Sequence, residues 1–438
     1  MKKSELKRIL SFMSRNIFKI AFLSFVILIY SVFPQNTAIA GNFDLTHPPN
    51  LQKIDLDDCN SFRSSQNMSN ISIYKNNITN LNYLKPIRVL VYYIEFVDLP
   101  NSNNLKSFIS KFEKNIDAYF AAISENKIRF IWTESKLHNK LPYSVKEYSS
   151  QNIILRDQTA RLIMDAQRQA FTYYNKSDFD YFLTVPPIDT RTTDIPKTIS
   201  ILQRGSDFLN GTILAGDFWQ GNKSWSIPAH EIGHAIGLAD LYEYQEETLG
   251  NLKLENFHKQ FSFMGFFDLM NWPTGPAPEM NAWNRWSLGL IRDNQITCLS
   301  SSSSLTLLDP IELKGGTKKA VFLKIDESRM IVVENRAAIG FDSRLPAWAT
   351  GIIIYEVNTN IETGKGPLRI IPKDSKKPRR VFEEVLKPGD QATFEGFRIK
   401  YLFQKHGKAV IKAEKIAKKL EFNPNGTSKR KFAISLAL

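Results

Sequence analysis

Cysteine is scarce in this chain. Cys59 and Cys298 are the only two in 438 residues, so a disulfide framework is limited to one bridge. The apolar run at residues 20–33, "IAFLSFVILIYSVF", has 14 residues. That is short of the roughly 20 needed to cross a bilayer. No repeat of fixed period is present, which sets solenoid and propeller arrays aside. No basic stretch is interleaved with aromatics in the manner of a nucleic-acid module, and no nucleic-acid partner is expected. Acidic side chains are the minority sign, 44 against 57 basic ones, leaving a net charge of +13. Histidine is rare too, at six, and two of the six stand four residues apart.

What is present describes a folded, exported protein. Hydrophobic residues make up 43% and aromatics 12%, enough for a large core. The first 40 residues hold Lys2, Lys3, Lys7, Arg8, Arg15 and Lys19, then the short apolar run, then "AIA" before Gly41. Basic start, apolar middle and small-residue end predict a signal peptide cleaved before Gly41, with an uncleaved anchor as the alternative. The expected location is secreted or extracytoplasmic, with no stable membrane insertion once the leader is removed. In an oxidising compartment Cys59 and Cys298 are expected to pair. The alternative is that Cys59, in a pro-segment, places its thiolate on a catalytic zinc and holds the protein latent. The "KPRR" at residues 377–380 and the lysine-rich tail at residues 412–431 read as solvated surface more readily than as an attraction to acidic partners.

Residues 41–84, rich in Asn and Ser, read as a linker or pro-segment. From residue 85 strands and helices alternate. Strands are expected at residues 86–98, 127–134, 178–187 and 211–219, the last as an edge strand. Helices are expected at residues 106–123 and 154–174, with Phe108, Phe112, Ile116, Tyr119 and Phe120 facing inward on the first. That alternation predicts an α/β (α+β) layer over residues 85–296. From about residue 297 the texture becomes short strands between Gly, Pro and Asp, which predicts an all-β, antiparallel C-terminal domain over residues 297–438.

The chemistry concentrates in "SWSIPAHEIGHAIGLADLYEY", residues 224–244. A helix beginning near Ser226 or Pro228 sets His230 and His234 on one face, two imidazoles for one ion. Zinc takes imidazole nitrogen well and keeps one position open for catalysis. Glu231, beside the first ligand, has the place of a general base for a water there. Gly237 lies where a positive φ ends the helix, and the chain bends back so that Asp240 offers a third ligand, with Tyr242, Glu243 and His258 as alternatives. Ile232, Ala235, Ile236 and Leu238 surround these residues. Two histidines and a glutamate buried among them without a metal would be costly. Downstream, Met264 and Met270 are candidates for packing beneath such a site, and core packing accounts for either.

The stretch "HEIGHAIGLADLY", followed by "SFMG", a Pro/Gly-rich loop and "AWNRWSLGLI", resembles the immune inhibitor A-type secreted metallopeptidases. The resemblance continues through "VVENRAAIGFDSRLPAWATGIIIYEVN" at residues 332–358 and covers about residues 87–358. It implies a metzincin-like catalytic domain with His230, His234 and Asp240 as zinc ligands, Glu231 as base and Met264 as the methionine of the turn beneath the metal. The family's usual His and Asp are replaced by Glu356 and Asn358, and Leu290 stands where Trp is common. None of these touches the proposed ligands, although Asn358 bears on any calcium or packing role at that position. The implied cofactor is Zn2+, with Ca2+ as a second ion, and the implied activity is zinc-dependent endopeptidase action on protein or peptide substrates. Two other readings stand beside it: a secreted binding or adhesion protein whose zinc domain is structural, and hydrolysis of another amide or ester. The intact Glu231 speaks against the first, since a structural site needs no base.

Overall fold

The structure is a computed structural model. It describes residues 57–60, 62, 82–101, 105–148, 155–187, 199–201, 207–214, 225–244, 261–300, 303–374 and 380–416. The expected leader lies outside these residues, as do His258 and the basic tail beyond residue 416.

Mixed α/β architecture with three sheets is observed among the described residues. The first sheet uses β1 (Ile87–Glu95), β2 (Phe130–Glu134), β3 (Asn139–Lys140), β4 (Tyr181–Val185), β5 (Ile199–Ile201) and β6 (Asn210–Ile213). Its order is β2-β1-β4-β6-β5, with β3 pairing β1. All pairs are parallel except β5 with β6. Helix α1 (Leu105–Ile123) covers one face and α2 (Leu155–Ala170) the other. A parallel sheet covered on both sides needs strands apolar on both faces, and β1 shows it. Val89, Val91 and Tyr93 share a core with Phe112, Ile116 and Phe120 of α1. Leu90, Tyr92 and Ile94 pack with Ile163 and Ala166 of α2. The strand expected at residues 211–219 is therefore not an edge: β6 lies one place in, and the outermost strand is β5. That strand is three residues long and carries no apolar run by which sequence reading could have found it.

Past helices α3 (Ser226–Ala235) and α4 (Ala282–Ser287) the chain is nearly all strand. The second sheet runs β12 (Leu368–Ile370), β11 (Gly351–Asn358), β10 (Arg329–Arg336), β9 (Ala320–Lys324), β7 (Ile296–Leu299). The third runs β13 (Gln391–Phe394), β14 (Phe397–Lys405), β15 (Lys408–Lys415), β8 (Ser303–Leu308). Pairing is antiparallel as expected, apart from β7, which runs parallel to β9.

The middle sheet is buried on both faces, and the period-two alternation of its strands assigns each face. Phe322, Met330, Val332, Ile353 and Tyr355 join the core that contains α1 and α3. Val321, Leu323, Ile331, Val333, Ile352 and Ile354 pack against Ile399, Tyr401, Ile411 and Ala413 of the third sheet. The buried core thus runs without a break across residues 296–297. A disulfide joins Cys59, in the helical turn Asp57–Asn60, to Cys298 of β7, with Cα atoms 6.1 Å apart. Cys59 therefore has no thiol to offer a metal in this structure.

Candidate metal centre

Helix α3 is ten residues long and has a start without a side-chain cap at Trp225. Pro228 falls in its first turn, where a missing N–H costs nothing. Its end is sharp. Gly237 adopts φ 111°, its N–H donates to the His234 carbonyl at 2.9 Å, and the Leu238 N–H reaches back to the Gly233 carbonyl at 2.9 Å. This is the Schellman arrangement, which requires the left-handed residue that glycine supplies. The reversal carries Asp240 back toward the helix.

Three atoms meet there. The His230 and His234 rings, one turn apart, have centroids 4.7 Å apart. Asp240 Oδ1 lies 3.0 Å from His230 Nε2 and 3.2 Å from His234 Nε2. All three side chains are buried. Among the described residues they are the one group of three or more His, Cys, Asp or Glu side chains whose ligand atoms converge as a metal requires.

The hydrogen bonds behind the rings set what those atoms present. His230 Nδ1 lies 3.0 Å from the Leu269 carbonyl, and His234 Nδ1 lies 2.9 Å from the Leu238 carbonyl. A carbonyl only accepts, so both Nδ1 atoms carry the hydrogen. With Nδ1 engaged from behind, each ring turns Nε2 toward Asp240, where that atom can hold either a proton or a metal. Asp240 Oδ1 is a buried carboxylate oxygen whose near neighbours are those two Nε2 atoms, and a buried carboxylate there needs a proton or a cation between it and them. One positive charge at the convergence meets that need. Burial alone would lower the His234 pKa, but the Asp240 carboxylate, with Glu231 and the Leu238 carbonyl, raises it to about 9. Burial would raise Asp240, yet the two imidazoles hold it far below the usual carboxylate range. Two imidazole nitrogens and one carboxylate oxygen, each oriented from behind, are a donor set that fits Zn2+ with a position left open.

The remaining sequence candidates fall as follows. Glu231 is half-buried on the same helix, close enough to act electrostatically on His234. Tyr242 is half-buried and its ring lies face to face with His230, centroids 6.0 Å apart. Glu243 does not belong to the converging group, while Tyr242 hydrogen-bonds Asp240. Met264 is fully buried within the turn at residues 261–266. Met270 is the methionine packed on the motif helix: a Cβ built on Gly233, between the two histidines, would lie 2.6 Å from its sulfur. Glu356 pairs with Arg329 at 2.6 Å, and the Asn358 side chain accepts from the Asn360 N–H at 3.0 Å. Both departures from the family pattern are thus engaged within the protein.

Sequence reading missed the supports. Asp268 accepts from the Met270 N–H (2.7 Å), the Asn281 N–H (2.8 Å) and the Asn284 side chain (3.1 Å). It thereby fixes the segment whose Leu269 carbonyl orients His230. Tyr244 donates to Asp240 Oδ2 at 2.6 Å. The Asp240 N–H donates to Thr363 Oγ1 at 3.0 Å. Tyr244 stood inside the quoted motif and could have been weighed as a partner of Asp240. Thr363 lies 123 residues away, with no local signal to join it to the motif. No family model matches this chain, and no curated protein matches it.

Proposed function

We propose that this chain is a secreted zinc-dependent endopeptidase, built on a metzincin-like catalytic region that begins at the first sheet. The observation that carries the reading is the convergence of the His230 and His234 Nε2 atoms on the buried Asp240 Oδ1, at 3.0 and 3.2 Å, with Glu231 next to His230 on the same helix. His230, His234 and Asp240 would hold the ion, and a zinc ion so held supplies Lewis acidity toward a water and a substrate carbonyl. Glu231 takes the proton from the attacking water and returns it to the leaving amine. The Leu238 and Leu269 carbonyls keep both histidines in the tautomer that ligates.

Glu231→Gln is the direct test. It preserves shape and leaves the proposed ligands in place. The variant is expected to bind about one zinc per chain, as the parent does, and to turn over casein or a peptide library roughly two to four orders of magnitude more slowly, the usual contribution of a positioned base. Full activity in this variant would overturn the mechanism. A parent that binds zinc yet cleaves no peptide would leave the structural-zinc reading in its place.

A further inference from the structure

The two histidines stand on a helix, but Asp240 lies in a segment with no regular structure of its own. Something else must hold it. The loop at residues 359–367, between β11 and β12, does so. Its ends are tied into the middle sheet: the Thr359 N–H donates to the Ser328 carbonyl at 2.8 Å, and the Asn358 N–H to the Pro367 carbonyl at 2.8 Å. Its tip reaches the metal centre. The Asp240 N–H donates to Thr363 Oγ1 at 3.0 Å, the Gly364 N–H donates to the Asp240 carbonyl at 3.2 Å, and the Tyr244 N–H donates to the Gly364 carbonyl at 2.9 Å. Both backbone polar groups of the third ligand are therefore held by this loop. Gly364 has φ +72°, and a Cβ there would lie 2.2 Å from the Tyr244 ring, so the tyrosine lies directly against the loop. Its hydroxyl in turn binds Asp240 Oδ2, which leaves Oδ1 as the oxygen that faces the histidines.

We infer that Thr363, Gly364 and Tyr244 are positioning residues of the metal centre, and that the loop at residues 359–367 makes the β-rich C-terminal half an integral part of the site. The inference rests on the zinc reading above. A hydrogen-bonded partner behind a metal ligand typically changes metal affinity ten- to a hundredfold, and here three contacts converge on the one ligand that no helix holds.

The test is zinc affinity in the full chain, by competition with a chromophoric chelator, with the Co2+ absorption spectrum as a report on ligand geometry. Thr363→Val removes the hydroxyl at nearly constant shape, Thr363→Ser restores it, and Tyr244→Phe removes the donor to Oδ2. Thr363→Val and Tyr244→Phe are each expected to weaken zinc binding by about tenfold or more and to alter the Co2+ spectrum, while Thr363→Ser stays within about threefold of the parent. Tyr244 is 49% exposed, so its variant carries the test even where Thr363→Val fails to fold. Zinc affinity unchanged in Tyr244→Phe and in a folded Thr363→Val would overturn the inference and leave the zinc reading intact. A parent that takes up no zinc would overturn both.

Discussion

Around His230, His234 and Asp240, one buried carboxylate oxygen meets two imidazole nitrogens at 3.0 and 3.2 Å. Around Arg336, buried charge is arranged the opposite way. That guanidinium contacts Glu312 at 3.3 Å, Glu334 at 3.0 Å and Asp342. Arg285 pairs with Glu279 and donates to the Ile311 carbonyl at 2.9 Å. The backbone closes much of the remainder: the Glu279 N–H donates to Asp342 at 2.9 Å, and the Ala282 N–H to Glu334 at 2.6 Å. Four carboxylates and two guanidiniums leave a negative excess. Burial relieves part of it by raising the Glu312 carboxyl well above its usual range, so that it keeps its proton. The second cluster therefore carries permanent cations, while the first offers imidazole nitrogens that hold either a proton or a metal. Burial of charged side chains alone does not mark a functional site; the convergence of metal-ligating atoms does.

The largest expected effects separate the two clusters. His234→Ala is expected to abolish zinc binding and activity together, since a ligand is gone, and to remove the rise in melting temperature that zinc gives the parent. Retention of one zinc per chain would break the comparison. Arg336→Met is expected to do the reverse. It strands Glu334 and Asp342 without their cation, and breaking such a buried pair costs about 3 to 5 kcal/mol of stability, read as a lowered urea midpoint. The fraction that remains folded should still bind zinc stoichiometrically. Loss of zinc from that fraction would show that the two clusters act as one.

How much of this was legible in the sequence follows from the range of each signal. The helix, its glycine stop and the i, i+4 histidines are local, and the spacing of "HEIGHAIGLAD" places them within a residue or two. The both-faces-apolar run of β1 and the short strands after residue 300 are local as well. What escaped depends on long-range pairing. The three-residue β5 has no pattern of its own, the parallel partnership of β7 with β9 needs the sheet to be assembled, and Thr363 meets Asp240 only because β11 delivers its loop there. The proximity of Met270 to Gly233 likewise needed the fold, since two methionines six positions apart fit the same local pattern.

Next in size is the covalent link. The Cys59–Cys298 bond spans 239 residues and ties the turn before the first sheet to the middle sheet. Replacing both cysteines with alanine is expected to lower stability by about 2 to 4 kcal/mol, measured by urea unfolding, with zinc content unchanged. Alkylation of the unreduced protein should label neither cysteine. Labelling of both, with activity rising in Cys59→Ser, would restore the latency reading and make Cys59 part of the metal centre's regulation.

The smallest effect tests a third way of burying charge. Glu113 of α1 is buried, and its Oε1 has no hydrogen-bond partner. It has neither the cations of the Arg336 cluster nor the convergent ligands of the metal centre. Burial, reinforced by the nearby Glu134 and Asp117 carboxylates, pushes its pKa up to about 7. The unfolded chain releases this proton near pH 4, whereas the folded protein holds it to about 7. Between those values the folded state binds more protons, so stability falls as pH rises through that window and is flat above it. Glu113→Gln keeps a neutral amide there at every pH. The stability of the variant relative to the parent should therefore increase by roughly 2 to 3 kcal/mol between pH 4 and pH 8, from urea midpoints at several pH values. A difference that does not change with pH would mean that Glu113 is ionised in the folded protein and that its neighbourhood supplies a counter-charge, which would place it with Arg336 rather than apart from both clusters.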